Sequence, residues 1–249
     1  MNSMLVVNSS ARMQRSISRR LVDIFVNEVS MSAAQGAAAD VALTVVERDV
    51  GATPPGFIDE HWIDAVFTEV DRRTAAQRAR VAESDLLIQE LKNASTIVIG
   101  APMYNYGMPA TLKAWFDQIV RVNETFSFDL ARGDYPLEPI LTGKTLVLMT
   151  SKGEFGFAPG EEREALNHLD GHIELLAKYL GVEEIHPIHV EYQEFGDERH
   201  QQSLHRAYVD ASELGVKFRR QWEAEALQME AVQLNAPRAA QQGWQTRRR

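Results

Sequence analysis

Short apolar runs of strand length alternate with helix-like segments along most of this chain. The apolar runs cover residues 4–8, 42–50, 96–100, 145–150 and 184–190. Helix-like segments cover residues 17–29, 74–92, 110–121 and 163–180, and a last one starts at residue 197. Because parallel strands need crossover connections, this alternation predicts a parallel sheet with helices on both faces. We therefore predict a three-layer α/β domain.

Local signals mark several of the expected boundaries. Thr74 and Gln77 form a capping box that opens one helix, and Gly181 stands where a left-handed residue would close another. Residues 51–73, which contain a Pro-Pro pair, are expected to be irregular. These signals place the connections between the predicted strands and helices.

Residues 221–249 fall outside the alternating pattern. Apolar side chains recur there with helical spacing as far as Leu234, and Pro237 and three terminal arginines follow. We predict one domain over residues 1–220 and a C-terminal extension over residues 221–249 that is helical and then flexible. The extension is either a solvated tail or a segment that packs on a partner subunit.

Composition narrows the class of protein. The chain has 249 residues, 45% of them hydrophobic, a formal net charge of -9 and no cysteine. The negative charge argues against nucleic-acid and anionic-membrane partners and favours small molecules. Without thiols, disulfides and iron–sulfur clusters are excluded, so any redox chemistry needs a bound organic cofactor. With neither a signal-peptide pattern at the start nor an apolar run of spanning length, we expect a cytoplasmic protein.

Loops follow the first, third and fourth predicted strands at one edge of the sheet, where open α/β sheets bind ligands. The first loop carries Ser9, Ser10, Ser16 and Ser18 ahead of a helix, which suits a phosphate or simple helix capping. The next carries Met103, Tyr104, Asn105 and Tyr106, which suit a flat aromatic ring or ordinary packing. The last offers a polar edge at Ser151, Lys152 and Gly153. A flavin mononucleotide (FMN) has these three parts.

Other chemistries find little support in the sequence. There is no G-x-G-x-x-G or Walker fingerprint, no H-E-x-x-H motif and no G-x-S-x-G elbow. His168 and His172 are four residues apart on a predicted helix, but no third ligand is evident, so we assign no metal site. His186 and His189 are expected on opposite faces of a strand.

Four motifs carry a family resemblance. They are Ala101-Pro102-Met103-Tyr104-Asn105-Tyr106, Ser10 with Ser16-Ile17-Ser18, Thr142-Gly143-Lys144, and Ser151-Lys152-Gly153-Glu154. Over about residues 4–220 the chain resembles the FMN-dependent NADH-azoreductase and NAD(P)H:quinone oxidoreductase family. The resemblance implies a flavodoxin-like, doubly wound sheet of five parallel strands in the order 2-1-3-4-5.

The resemblance also implies the roles of individual residues. Ser10, Ser16, Ile17 and Ser18 would bind the FMN phosphate and ribityl chain. Met103, Tyr104, Asn105 and Tyr106 would line the isoalloxazine, and Ser151, Lys152, Gly153 and Glu154 would meet its pyrimidine edge. Phe126 and Phe128, with Tyr106, would face the substrate, and homodimers would place two sites at the subunit interface.

The implied reaction is a two-electron, ping-pong hydride transfer through flavin N5. NADH or NADPH would reduce the FMN, and a quinone or an azo compound would then reoxidise it. No side chain is required as an acid or base, so we name no catalytic residue. A flavodoxin-like electron carrier or regulatory module without turnover is the alternative. The aromatic segment 125–139, a candidate lid, favours an enzyme.

Two positions depart from the family pattern. Ile17 replaces a polar residue between two serines, and Glu154 replaces the second glycine of the last motif. If the Glu154 carboxylate faces the flavin, it disfavours the anionic reduced form and lowers the reduction potential. Glu154→Gly should then raise that potential.

Overall fold

The structure, a computed structural model, describes residues 2–31 and 43–235. Its strands are β1 (Asn2–Asn8), β2 (Leu43–Asp49), β3 (Thr96–Pro102), β4 (Phe126–Phe128), β5 (Leu137–Pro139), β6 (Lys144–Ser151) and β7 (Val182–Val190). Its α-helices are α1 (Ile17–Ser30), α2 (Glu60–Phe67), α3 (Ala75–Asn93), α4 (Ala110–Ile119), α5 (Asp170–Ala177) and α6 (Glu198–Asn235).

Five parallel strands form the central sheet in the order β2-β1-β3-β6-β7. Strands β4 and β5 pair with each other in a separate antiparallel hairpin. When only the strands of the central sheet are counted, the order is 2-1-3-4-5, so the predicted doubly wound sheet is confirmed.

Alternate side chains of the central strands bury two cores on opposite faces of the sheet. Leu5, Ile97 and Leu146 pack towards the face covered by α3, α4 and α5. Met4, Val98 and Val147 pack towards the face covered by α1 and α6. Since both faces are covered, β3 is buried along its whole length, as its unbroken apolar run predicts. The three-layer architecture is therefore confirmed.

The parallel register brings the carboxyl ends of the strands to one edge. Asn8, the last residue of β1, pairs with Gly100 near the end of β3, and Pro102 pairs with Ser151 at the ends of β3 and β6. The loops that follow these strands must therefore meet, which fixes where a ligand site can form.

Two predicted helix ends are confirmed. The Thr74 hydroxyl accepts a hydrogen bond from the Gln77 amide at 3.2 Å, and the Gln77 side chain accepts one from the Thr74 amide at 3.0 Å. Gly181 has a φ of 83°, so the chain leaves its helical segment through the left-handed conformation that glycine favours.

The helix predicted from residue 163 begins instead at Asp170, so that boundary was wrong. A short 3-10 turn occupies Glu164–Leu166, and the Asn167 side chain then accepts the Asp170 amide at 3.1 Å. The His168 amide donates to the Tyr106 carbonyl at 3.0 Å, a tertiary contact that holds His168 outside α5. The predicted pairing of His168 and His172 on one helix is therefore wrong.

Residues 51–73 are more ordered than their prolines suggested, because α2 forms within them. Asp59 caps α2 by accepting the Trp62 amide at 2.8 Å. Trp62 is buried, and its indole N–H donates to the Gln118 side chain at 2.9 Å. The helix forms around this buried tryptophan, a long-range contact that periodicity does not report.

Helix α6 continues without a break past the predicted domain boundary at residue 220. Its Trp222 is buried in the same core cluster as Phe25 of α1, so contact with the domain extends to that turn. The extension is helical as predicted to Asn235. Its predicted flexible end, residues 236–249, lies outside the described residues.

None of the described helices is long and apolar enough to cross a membrane.

Candidate active site

A cleft of about 230 Å³ opens at the carboxyl edge of the sheet. It is bounded by the loops after β1, β3 and β6, which the sequence predicted to meet, and by the loop after β7. Its lining residues are Ser10, Arg12, Arg15, Ser16, Ile17, Pro102, Met103, Tyr104, Ser151, Gly153, Gln193 and Glu194.

One end of the cleft has positively polarised groups, the start of helix α1 and two arginines. Ser16 caps α1 by accepting the Arg19 amide at 3.3 Å. The amides of Ile17 and Ser18 donate to no acceptor within residues 2–31 and 43–235, so they are free to bind a ligand at the positive end of the helix. Arg12 and Arg15 add two cations on the same loop.

The first-loop serines have different surroundings. Ser10 is buried and lines the cleft, and its hydroxyl accepts the Arg12 amide at 3.2 Å. The Ser9 hydroxyl donates to the Gly100 carbonyl at 2.9 Å and ties the loop to β3. Ser18 is fully buried with its hydroxyl 3.2 Å from that of Ser16, so only its backbone amide is placed to meet a ligand.

The aromatic loop is a tight turn. The backbone groups of Tyr104 and Gly107 exchange hydrogen bonds of 3.0 and 3.1 Å. Between them, Asn105 and Tyr106 have φ values of 48° and 65°, which non-glycine residues adopt only at a cost. Met103 and Tyr104 line the cleft, whereas the side chains of Asn105 and Tyr106 do not.

The Tyr106 side chain joins the turn to the loop after β6. Its hydroxyl donates to the Glu154 carboxylate at 3.1 Å, and the Arg163 guanidinium lies 4.0 Å from the same carboxylate. The hydrogen bond to the Glu154 carboxylate, together with its negative charge, raises the pKa of Tyr106 above its ordinary value. Glu154 has no positive φ, so its backbone conformation is one that a side chain permits, as expected.

Lys152 faces inward rather than into the cleft. Its side chain is buried, and its Nζ lies 2.6 Å from the Asp170 carboxylate. Its amide and carbonyl bond to Val190 and Gln193. Lys152 therefore holds the loop in place, while Ser151 and Gly153 present the polar edge. A Cβ on Gly153 would come within 2.7 Å of the Glu194 side chain, so glycine permits this close approach.

Phe126 and Phe128 lie far from the cleft of their own chain. They belong to the hairpin β4–β5, which packs at the amino edge of the sheet. The Phe126 ring is 5.6 Å from that of Tyr179, which comes just before the start of β7. The segment 125–139 therefore does not act as a lid on its own chain, and neither phenylalanine lines the cleft.

Five lining residues were not among the predicted site residues, and one of them, Pro102, stands in a motif that the sequence analysis quoted without giving it a role. Arg12 and Arg15 lie in the loop between β1 and α1 (residues 9–16), which we call the serine loop. The prediction for this loop considered only its hydroxyl groups. Gln193 and Glu194 follow β7, and the rule that ligands bind beyond the carboxyl ends of strands would have found them had it been applied to the last strand.

The fold and the cleft together define a flavodoxin-like α/β protein, with the start of helix α1 and an aromatic turn lining one cleft. A family model for the flavodoxin-like fold matches residues 2–214. The chain is 58% identical over 175 residues to FMN-dependent NADH:quinone oxidoreductase 2 of Idiomarina loihiensis, which covers 69% of this chain and 73% of the relative. It is 36% identical over 208 residues to FMN-dependent NAD(P)H:quinone oxidoreductase 1 of Pseudomonas aeruginosa, and this match covers 83% of this chain and 95% of the relative. The chain belongs to this family of flavodoxin-like oxidoreductases.

Solved structures agree on the fold. An azoreductase from Bacillus anthracis superposes with a TM-score of 0.75 at 17% identity, covering 88% of this chain and 100% of the other. An FMN-dependent NADH-azoreductase from Bacillus anthracis in complex with FMN gives a TM-score of 0.74 at 18% identity, covering 87% of this chain and 99% of the other. At these identities the likeness concerns the fold.

Proposed function

We propose that this protein is an FMN-dependent NAD(P)H oxidoreductase that reduces quinones and cleaves azo bonds. The observation that carries the proposal is the cleft itself, where an anion-binding helix end, an aromatic turn and a glycine-lined polar edge converge. The 58% identity to a relative named FMN-dependent NADH:quinone oxidoreductase 2 supports it.

The residues of the cleft fit FMN. The free amides of Ile17 and Ser18, with Ser10, Ser16 and the two loop arginines, suit the phosphate and ribityl chain. Met103 and Tyr104 suit one face of the ring system, with Asn105 and Tyr106 shaping the turn that carries them. Ser151 and Gly153 suit the pyrimidine edge, with Lys152 and Glu154 supporting that loop.

When bound, FMN would supply a hydride acceptor and donor at its N5, which NAD(P)H and then a quinone or azo compound would use in turn, in ping-pong order. The chain's own residues would bind and orient the FMN and the substrate, and would exclude water from the cleft. The buried loop contacts of Lys152 and Ser9 fix the cleft walls before any ligand arrives. We assign no side chain as a proton donor or acceptor.

We further propose a cytoplasmic homodimer with its sites at the subunit interface. Leu130 and Tyr135, between β4 and β5, are 74% and 86% exposed, and Phe128 is 53% exposed. Exposed apolar side chains that are grouped on one short hairpin are typical of association surfaces. Because this hairpin lies away from its own cleft, Phe126 and Phe128 reach a substrate only if a second copy places them over the partner's cleft.

The test is anaerobic reduction of the FMN-loaded protein. We expect NADH or NADPH to bleach the flavin absorbance and a quinone or an azo dye to restore it. Failure to bind FMN would contradict the whole proposal. Binding without bleaching by either nucleotide would favour the electron carrier or regulatory module instead.

A further inference from the structure

Arg19 joins three segments beside the phosphate end of the cleft. It lies in the first turn of α1, and its Nη1 and Nη2 each donate to a carboxylate oxygen of Asp49 at 2.7 Å. The same Nη2 donates to the Ser10 carbonyl, also at 2.7 Å. The Arg19 side chain is 12% exposed, so this planar fork is largely shielded from water.

These contacts fix the orientation of one peptide group of the serine loop. The Ser10 carbonyl points to Arg19, and the next amide, that of Ala11, donates to the Tyr104 hydroxyl at 3.3 Å. In a trans peptide the C=O and N–H groups point in opposite directions, so the two contacts support each other. The negative end of this peptide dipole is thereby turned towards a guanidinium.

Gly51 makes the arrangement possible. A Cβ at this position would lie 2.3 Å from the Ser10 carbonyl oxygen and 2.9 Å from the Arg19 Nη2. The Asp49 carboxylate also accepts the Ala52 amide at 2.9 Å, which holds the turn after β2 against the serine loop. The end of β2 is therefore built around the contact between Arg19 and Ser10.

We propose that Arg19 and Asp49 are positioning residues for the phosphate end of the cleft, and that they hold the Ser10 carbonyl away from the bound phosphate. Without the guanidinium only the 3.3 Å contact between the Ala11 amide and the Tyr104 hydroxyl orients this peptide group, and a Ser10 carbonyl oxygen turned towards the cleft would repel an anion. The inference rests on the proposed function, since it needs FMN as the ligand.

Arg19→Met tests the inference through binding rather than turnover. Dissociation constants for FMN and for riboflavin, which lacks the phosphate, are measured by flavin fluorescence quenching. We expect FMN to bind about tenfold more weakly, on the scale of one hydrogen bond to a charged group, and riboflavin to bind as in the wild type. Arg19→Lys keeps the charge and should restore part of the FMN affinity.

Arg48→Met is the matched control. Arg48 also forms a two-pronged pair, with Glu90 on α3, but within the described residues its side chain forms no hydrogen bond with the serine loop. Both flavin affinities should stay at their wild-type values in this variant.

Three results would overturn the inference and leave the proposed function in place. An equal loss of FMN and riboflavin affinity would show a general structural role for the pair, and unchanged FMN affinity would show no role. Circular dichroism shows whether Arg19→Met folds. If it does not, the test uses Arg19→Lys, and a ratio of FMN to riboflavin affinity equal to that of the wild type rejects the proposal. Wild-type protein that binds neither flavin would instead reject the proposed function, and this inference with it.

Discussion

Individual side chains at the carboxyl edge of the sheet either face the cleft or hold the loops that form it. Ser16 and Met103 line the cleft. Lys152 and Tyr106 make their contacts with protein carboxylates, those of Asp170 and Glu154. Substitutions in the first group should change ligand affinity directly, whereas those in the second should act through the loops.

Glu154 should influence the reduction potential of bound FMN. We expect Glu154→Gly, and the charge-only change Glu154→Gln, to raise it, because a carboxylate in the loop that forms the polar edge of the cleft disfavours additional negative charge on the reduced flavin. The hydrogen bond from Tyr106 and the Arg163 guanidinium at 4.0 Å offset part of this charge, so the rise should be modest. Spectroelectrochemical titration gives the midpoint potential.

Tyr106→Phe is the control for this prediction. It removes the hydrogen-bond donor but keeps the Glu154 charge, so the potential should stay the same or fall. If both Glu154 variants keep the wild-type potential, the carboxylate has no electrostatic influence on the flavin.

Helices take their ends and their packing from contacts with other parts of the chain. Helix α5 starts at Asp170 because Asn167 caps it and His168 bonds to the aromatic turn. Helices α1 and α6 approach each other closely where Gly215 faces Phe25 and Glu28. Their packing should therefore be sensitive to small changes in side-chain volume.

Gly215→Ala should destabilise the fold by about 1–2 kcal/mol, since overpacking outweighs the helix propensity that alanine adds. The new Cβ would lie 2.6 Å from the Glu28 Cβ and 2.9 Å from the Phe25 carbonyl oxygen. Urea unfolding measures the change. Gly171→Ala on α5, where a Cβ meets nothing within 4 Å, should be neutral or slightly stabilising. Equal stability of the two variants would argue against close packing at Gly215.

His186 should contribute to loss of stability in acid. Its ring packs edge-on against Phe218 at 5.5 Å between β7 and α6, and burial lowers its pKa, although Glu184 opposes this. At pH values between the lowered pKa and the ordinary value of 6.5, His186 therefore binds a proton more readily in the unfolded chain than in the folded protein. In this window the free energy of unfolding falls as the pH falls.

His186→Gln should remove that component of the pH dependence. The free energy of unfolding is measured with urea at about pH 7.5 and about pH 5.5. Between these two values it should fall less in His186→Gln than in the wild type. His189→Gln, at an exposed position of the same strand, should keep the wild-type loss. An unchanged loss in His186→Gln would contradict the prediction.

At the scale of the whole molecule, the cleft lies at the carboxyl edge of the sheet and the β4–β5 hairpin lies at its amino edge. The loops after β1, β3 and β6 form the cleft, whereas β4–β5 packs near Tyr179, just before β7 begins. This separation is the physical reason to propose that the complete substrate site needs two chains.

Leu130→Asp should weaken the proposed dimer without unfolding the chain, because Leu130 is 74% exposed in one subunit. Light scattering coupled to size-exclusion chromatography should show a shift towards monomer. Val209→Asp, on α6 at the opposite face of the sheet, should leave the mass unchanged. A wild-type protein that is monomeric at micromolar concentration would refute the dimer.

The sequence alone determined the features that depend on local periodicity and backbone sterics. The apolar runs, the capping box at Thr74 and the left-handed Gly181 follow from neighbouring residues, and their order along the chain was enough to predict the sheet. Strand order and parallel register then brought the three predicted loops together.

Only the tertiary structure decided where individual side chains point. It turned Lys152 towards Asp170, began α5 at Asp170, placed Phe126 at the opposite edge from the cleft and joined Arg19 to Asp49. These outcomes depend on contacts between residues far apart in the chain. Spacing along a sequence predicts which face of an element a residue occupies, but the partner it meets there is set by how the elements pack.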